Sequence, residues 1–374
     1  MSGMNNFQFA TIFATKRKEL DATQEDIARY IGVSRAAVSK WEKGLSYPDI
    51  LLLPKLATYF NVTIDDLLGY EPQMTEQRIL ETYARLSKRF ATSDFHEVDA
   101  EIERLVTEYY SCFPFLLKVV QLYVNYLDVA KDRNPILEKA LALCIRVKDY
   151  SGDYKLANDA LVMEGFIYVL QGQPTKVLEL LGEDAPIQLG TEQLIATAQK
   201  MLGKTDKAKE ILQVNMYQQI LSSVASAGES LLLELDKPDY FDEIVRRIEI
   251  ILTTFNMVQL NVNTALVFYV QAANGYAMQQ RFEEAYLCIE RYVKACLQID
   301  FPLRIEGDSY FYLLDDWIKR ELLLSTQTPR DNDTIKKALF ETIAHNPLFA
   351  PLANDARYQN LLTNLKHYLR LEGV

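Results

Sequence analysis

The chain has 374 residues, 49% of them apolar and 24% charged, which excludes intrinsic disorder, a collagen-like repeat and a disulfide-stapled miniprotein. At about 150 residues per domain this length predicts two or three domains. The net charge of −11 argues at first against a nucleic-acid binder, but it is unevenly placed. Residues 1–70 hold eight basic and eight acidic residues, leaving 32 of the 40 basic and 43 of the 51 acidic residues to the remainder. Only a local patch on the small N-terminal part needs to be basic to meet phosphate. No run of about 18 apolar residues exists, so no membrane-spanning helix is expected. The opening Met-Ser-Gly-Met-Asn-Asn has neither the basic segment nor the apolar run of a signal peptide. Cys112, Cys144, Cys288 and Cys296 lack Cys-x-x-Cys spacing and read as reduced, buried thiols of a cytoplasmic protein.

Helix signals are dense from the start. Phe9 to Leu20 carries a helical apolar pattern and the basic cluster Lys16-Arg17-Lys18. Thr23, with Asp26 three residues on, forms a capping-box variant that opens a second helix burying Ile27, Ala28 and Ile31. Gly32 stands where that helix ends, at a position that favours a left-handed conformation. Ser34 caps a third helix, Arg35 to Lys43, closed by Gly44. Two helices joined by a short glycine-containing turn predict a helix-turn-helix. Val38 and Trp41 are three apart and share the core side of the third helix, leaving Arg35, Ala36, Ser39, Lys40 and Lys43 elsewhere on it. Asp49 is expected to cap a fourth helix running to Phe60, kinked or delayed by Pro54. Thr63 with Asp66 opens a short fifth helix that Gly69 ends.

The runs Thr23-Gln-Glu-Asp-Ile-Ala, Ile31-Gly-Val-Ser-Arg, Val38-Ser-Lys-Trp-Glu-Lys-Gly, Tyr47-Pro-Asp and Phe60-Asn-Val-Thr-Ile-Asp-Asp-Leu-Leu resemble the XRE family, the Cro/phage-repressor type of helix-turn-helix. The resemblance covers about residues 9–69 and implies a lambda-repressor-like DNA-binding domain over residues 1–70. Position by position it implies that Gln24 contacts phosphate at the start of the second helix. It places Ser34, Arg35, Ala36, Ala37, Ser39 and Lys40 at the recognition-helix end that enters the major groove, with Lys43 on phosphate. It gives Arg17 and Glu42 a structural pairing. Family members often carry Gln where this chain has Ala36 and Ala37. Alanine cannot hydrogen-bond a base, so readout is left to Arg35, Ser39, Lys40, a methyl contact and DNA shape.

Residues 71–76, with Pro72 to Met74, read as a linker before a long helix beginning near Thr75. The rest, 77–374, reads as helix after helix. A short polar turn followed by an amphipathic helix recurs at Gln171-Gly-Gln-Pro, Leu202-Gly-Lys-Thr and Gln279-Gln-Arg-Phe. Alignment on that unit brings Ala100, Ala140, Val177, Ala208, Val245 and Ala285 into register, at spacings near the tetratricopeptide length of about 34 residues. Tyr269-x-x-Ala-Ala-x-x-Tyr276 with Ala285 resembles that repeat well, and Leu161-x-x-Glu-Gly-x-x-Tyr168 moderately. Asn346-Pro-Leu-Phe-Ala-Pro-Leu resembles the end cap of such arrays. The expected fold class is therefore all-α, a five-helix DNA-binding domain followed by a tetratricopeptide-like α-solenoid. Transferred groove offsets imply that Asn125, Val162, Phe166, Gln193, Thr197, Ser230, Val270 and Asn274 face the concave side, where amides suit a peptide backbone.

Other signals fail on spacing. Gly203-Lys204-Thr205 lacks the earlier glycine of a phosphate loop, with Ala198 in that place. His96, His345 and His367 lie far apart, and Asp315-Asp316 reads as a solvated helix end. No catalytic site, cofactor or metal is expected. Domain order resembles the peptide-sensing RRNPP regulators of Gram-positive bacteria. That resemblance implies a homodimer on operator DNA, with a short peptide in the groove and no membrane contact. An adaptor whose array binds a protein partner is the alternative.

Overall fold

A computed structural model describes residues 8–371, except 72, 186, 188–189 and 322–331. No β-strand occurs among the described residues.

The N-terminal part is a five-helix cluster: α1 (Phe9–Glu19), α2 (Gln24–Ile31), α3 (Arg35–Glu42), α4 (Leu53–Phe60) and α5 (Ile64–Leu68). Local chemistry sets each start. The Thr23 hydroxyl accepts from Asp26 N at 3.2 Å while Asp26 Oδ2 accepts from Thr23 N at 2.9 Å, a complete capping box. Thr63 and Asp66 repeat it at 3.0 Å in both directions. Ser34 Oγ accepts from Ala37 N at the head of α3. Pro54 has the expected effect: Asp49 caps a 3₁₀ turn, Ile50–Leu52, and α4 begins only after it. Gly32 ends α2 at φ +81°, a conformation that a Cβ would strain. The core gathers Phe9, Phe13, Ile27, Val38, Trp41, Leu56, Phe60 and Leu67. Phe13 is its centre, edge-on to Trp41 at 6.2 Å and to Phe60 at 5.2 Å.

Thr75 then caps α6 (Glu76–Thr92), as expected. The array continues through α7 (Phe95–Glu108), α8 (Phe113–Asn125), α9 (Arg133–Tyr150), α10 (Tyr154–Leu170), α11 (Pro174–Leu181), α12 (Thr191–Met201), α13 (Thr205–Leu231), α14 (Pro238–Thr254), α15 (Met257–Leu260), α16 (Val262–Met278) and α17 (Phe282–Cys296). It closes with α18 (Leu314–Glu321), α19 (Asn332–Ala344) and α20 (Ala356–Tyr368). Sequential helices pack as hairpins, most fully α8–α9–α10, α12–α13 and α16–α17.

Three of the hairpin turns are the same object. At each, one residue takes a left-handed φ: Gly172 (+67°), Gly203 (+75°) and Gln280 (+61°). The next N–H then reaches back five residues, from Gln173 to Tyr168 O, from Lys204 to Gln199 O and from Arg281 to Tyr276 O, each at 2.9 Å. Gly203-Lys204-Thr205 is thus a repeat turn.

Three expectations need adjustment. Ala100 is exposed on α7, while its neighbours Val98, Asp99 and Ile102 are buried, so the repeat register slips there. Asp99 tolerates burial because Tyr123 donates to it at 2.8 Å and the Lys139 ammonium lies at 2.7 Å. Secondly, α13 runs 27 residues without a break where the spacing implies the end of one pair and the start of another. No proline lies between Thr205 and Leu231 to part them, and the stretch Ser222 to Ser230, with Gly228 buried in it, stays helical. Thirdly, the apolar core falls into two clusters, spanning Met74–Ile167 and Val214–Leu369, with α11 and α12 between them.

The C-terminal run does cover one end. Phe349 and Leu352 of the 3₁₀ segment Pro347–Leu352, with Tyr358 and Leu365 of α20, join the core against α16 and α17. The irregular stretch before α18 folds back on α13, where Leu313 N donates to Gln213 Oε1 at 3.0 Å.

Candidate nucleic-acid interface

The exposed face of α3 is built by the burial of its opposite face. Val38 and Trp41 are held in the core, so Arg35, Ala36 and Lys40 are turned outward, with Ser34 and Lys43 exposed at the two ends. Ala37 is half-buried and packs on the core, and Ser39 is half-buried. The first turn of α3 contains no acidic residue, so its positive dipole end is not neutralised locally.

A second set of groups stands beside that end. An open depression of about 700 Å³ is lined by Arg17, Lys18, Thr23, Gln24 and Arg35, among others. It joins the start of α2 to the start of α3. Lys18 is exposed, and sequence reasoning did not assign it to the site. The cluster Lys16-Arg17-Lys18 was the available signal. Gln24 stands at the start of α2, and its Nε2 donates to Glu42 Oε2 at 2.7 Å. The Arg17 guanidinium pairs with the same carboxylate and donates to Ala22 O at 2.8 Å. Burial opposes the charge on Glu42, but hydrogen bonds from Arg17 and Gln24 outweigh it and hold the carboxyl below its usual range.

The expected groove residues stay dispersed along the array. Asn125 Nδ2 donates to the buried Tyr83 hydroxyl at 3.1 Å, and Asn274 Oδ1 accepts from Asn346 Nδ2 at 2.8 Å, tying α16 to the C-terminal run. Val162, Phe166, Gln193 and Thr197 are exposed, and the Thr197 hydroxyl donates to Gln193 O in its own helix. Ser230 Oγ donates to Ala227 O, and Val270 is half-buried against the core. A crevice of about 390 Å³ between α13 and α16, with Leu221, Val224, Val267, Phe268 and Gln271 on its walls, contains none of them. No grouping of three or more His, Cys, Asp or Glu suited to a metal occurs among the described residues, and no described helix is long and apolar enough to cross a membrane.

Comparison with known proteins supports this part of the molecule. The helix-turn-helix family HTH_3 matches residues 13–67. The HTH-type transcriptional activator BcrR of Enterococcus faecalis is 47% identical over 53 residues, 14% of this chain and 26% of BcrR. An HTH-type transcriptional regulator of Methanocaldococcus jannaschii is 45% identical over 49 residues, 13% of this chain and 74% of the relative. The chain belongs to the HTH-type transcriptional regulators. An Archaeoglobus fulgidus protein described in the same terms is 35% identical over 63 residues, 17% of this chain and 89% of its own length. This HTH-type regulator spans about a quarter of BcrR. The crystal structure of ComR from S. thermophilus, solved with DNA and its signalling peptide ComS, aligns over 84% of this chain and 97% of ComR at 14% identity. The TM-score of 0.17 is too low to establish a common architecture.

Proposed function

We propose that this regulator binds operator DNA as a homodimer, with α3 in the major groove, and that its helical array senses a short peptide and sets the spacing of the two recognition helices. The carrying observation is the two-sidedness of α3, with Val38 and Trp41 in the core and Arg35, Ala36, Lys40 and Lys43 exposed beside two helix N-termini. Arg35 and Lys40 supply guanine or phosphate contacts, Ser34 and Lys43 hold the backbone, and Lys18 adds a cation next to the start of α2. Gln24 positions Glu42 and offers phosphate its backbone N–H. Ala36 meets a thymine methyl, while Ala37 and Ser39 fix how closely the helix approaches.

For the array, the apolar crevice between α13 and α16, with the Gln271 amide on its wall, supports a peptide ligand better than a small ion. Asn125 and Asn274 then act by holding helix neighbours in register rather than by gripping the peptide. The decisive experiment is a gel shift with selected operator fragments. The double variant Arg35→Ala/Lys40→Ala should lose specific binding with unchanged helical circular dichroism. Retained binding would overturn the DNA reading, and absence of calorimetric response to short hydrophobic peptides would overturn the ligand reading.

A further inference from the structure

We propose that the head of α13 and the end of α14 form a recognition site for a short peptide with one aromatic anchor, and that residues 308–313 of this chain fill it as a tethered ligand. The proposal rests on the peptide reading above and names the ligand class. Residues 308–313 lie outside any helix, between α17 and α18. Of three consecutive aromatic residues there, Phe311 is fully buried, while Tyr310 and Tyr312 stay 54% and 58% exposed. The Phe311 ring is edge-on to Tyr217 of α13 at 5.9 Å and lies 6.3 Å from Phe255, at the end of α14. Two residues on, the Leu313 N–H donates to Gln213 Oε1 at 3.0 Å, so a groove side chain holds the segment by its backbone. Gln213 and Tyr217 are four residues apart and share one face of α13. One pocketed side chain, a main-chain hydrogen bond and flanking side chains left in water are the means by which grooves hold peptides.

The segment brings its own shape. Asp308 Oδ1 accepts from the N–H groups of Tyr310 and Phe311 at 2.9 and 2.8 Å, a turn closed by an aspartate side chain. These bonds are internal to the segment, so a free peptide with the same aspartate can form them too. The ligand class is therefore an aspartate-led turn that presents an aromatic ring three residues later. Attachment explains why the chain's own copy is bound. A tethered segment competes at an effective concentration on the order of millimolar, and α18, packed on α13, holds its far end.

This filled site continues into the open crevice. Asn261, at the start of α16, donates from Nδ2 to the Tyr217 hydroxyl at 3.1 Å, and Leu221, one turn further along α13, lines the crevice. At the far end Gln271 of α16 packs over Gly228 of α13. The two helices thus run side by side in the same direction, with a filled stretch beside Gln213 and an open stretch beside Gln271. A ligand that seats in the open stretch and extends towards the head of α13 meets Phe311 and displaces it.

The test titrates the full chain against a fluorescent, end-capped peptide Gly-Asp-Ser-Tyr-Phe-Tyr-Leu, the sequence of residues 307–313, and reads anisotropy. Gly307→Ala drives a Cβ against the Phe311 carbonyl, and Asp308→Ala removes the acceptor of the turn, so the double variant loosens the tethered copy without emptying the core. It should bind the probe at least tenfold more tightly than the parent does. Adding Gln213→Ala should reverse the gain, and a probe with serine in place of its phenylalanine should not bind. If the double variant loses helical circular dichroism, Asp308→Ala alone replaces it and should shift affinity in the same direction. Equal affinity of parent and loosened variant would overturn the tethered ligand, and a gain that survives Gln213→Ala would overturn the site. Either result leaves the sensing reading standing if short hydrophobic peptides still give a calorimetric response. Absence of response to those peptides and to the probe would overturn both.

Discussion

The Arg17 guanidinium and the Glu42 carboxylate lock α1 to the end of α3, and Gln24 reaches the same carboxylate from α2. One acidic side chain thus orients three helices around the candidate DNA face. Removing its charge leaves the half-buried Arg17 with only the Ala22 carbonyl, and no carboxylate, to meet. Glu42→Gln should destabilise the N-terminal cluster by about 1–2 kcal/mol at neutral pH, less than a fully buried pair because solvent reaches one side. The pH dependence follows from the depressed carboxyl. Its contribution is fully present above the unfolded value of about 4.3 and is lost as pH falls through the lower folded value. Urea unfolding of the full chain, followed by hydrogen exchange in residues 9–69, should show that acid sensitivity in the parent and a flatter profile in the variant.

Lys43 sits exposed just past α3, and the proposed DNA complex gives it the phosphate backbone rather than a base edge. Lys43→Ala should weaken binding to operator and to random DNA alike and lower the slope of log affinity against log salt by about one. Arg35→Ala should cost about 1–3 kcal/mol on operator and relax sequence preference. Salt titrations on both DNAs separate the two roles, and a Lys43 variant that loses only specific binding would reverse the assignment.

Gly275 lies against the Phe241 ring so closely that a Cβ would stand 2.4 Å from it. That ring is fully buried and packs on Tyr276 at 4.7 Å, so it has nowhere to move. Gly275→Ala should destabilise the C-terminal core by about 1–3 kcal/mol through overpacking. Gly228 is the contrast, since a Cβ there meets the end of the Gln271 side chain, which can swing away. Gly228→Ala should be neutral or slightly stabilising from helix propensity. Thermal unfolding of the two variants checks the pair.

All four cysteines are buried, and burial pushes the thiols of Cys144, Cys288 and Cys296 up to about 12. Thiolate is the reactive form, so native protein should react negligibly with a thiol reagent at pH 8 and reveal four thiols on unfolding. Fast labelling of any of these three in the native state would contradict their placement.

Much of the N-terminal cluster is legible in sequence because its signals are local. Thr23 with Asp26, Ser34, Thr63 with Asp66 and Gly32 each act within four residues, and each takes its expected role. The outward set on α3 follows from the burial of Val38 and Trp41. The bond from the Gln24 side chain to Glu42 is not legible in sequence, because the two lie 18 residues apart and only the folded arrangement joins them. In the array, the turns at Gly172 and Gly203 announce themselves, but Gln280 adopts the same conformation without glycine and its turn shows only through the surrounding pattern. The long α13 and the division of the core were hidden because both depend on what is missing, a breaker in one case and a covering neighbour in the other.

The unbroken α13 has a mechanical consequence. At 1.5 Å per residue its 27 residues form a rod about 40 Å long. Its first turns pack on α12 and its last turns sit in the C-terminal core beside α16. A rigid rod is a lever: a tilt of about 5° at one end carries the other through roughly 3.5 Å, more than the roughly 1–2 Å helix shifts common at switching interfaces. A rearrangement around the crevice on α16 that tilted this rod would displace α12, far from where it began.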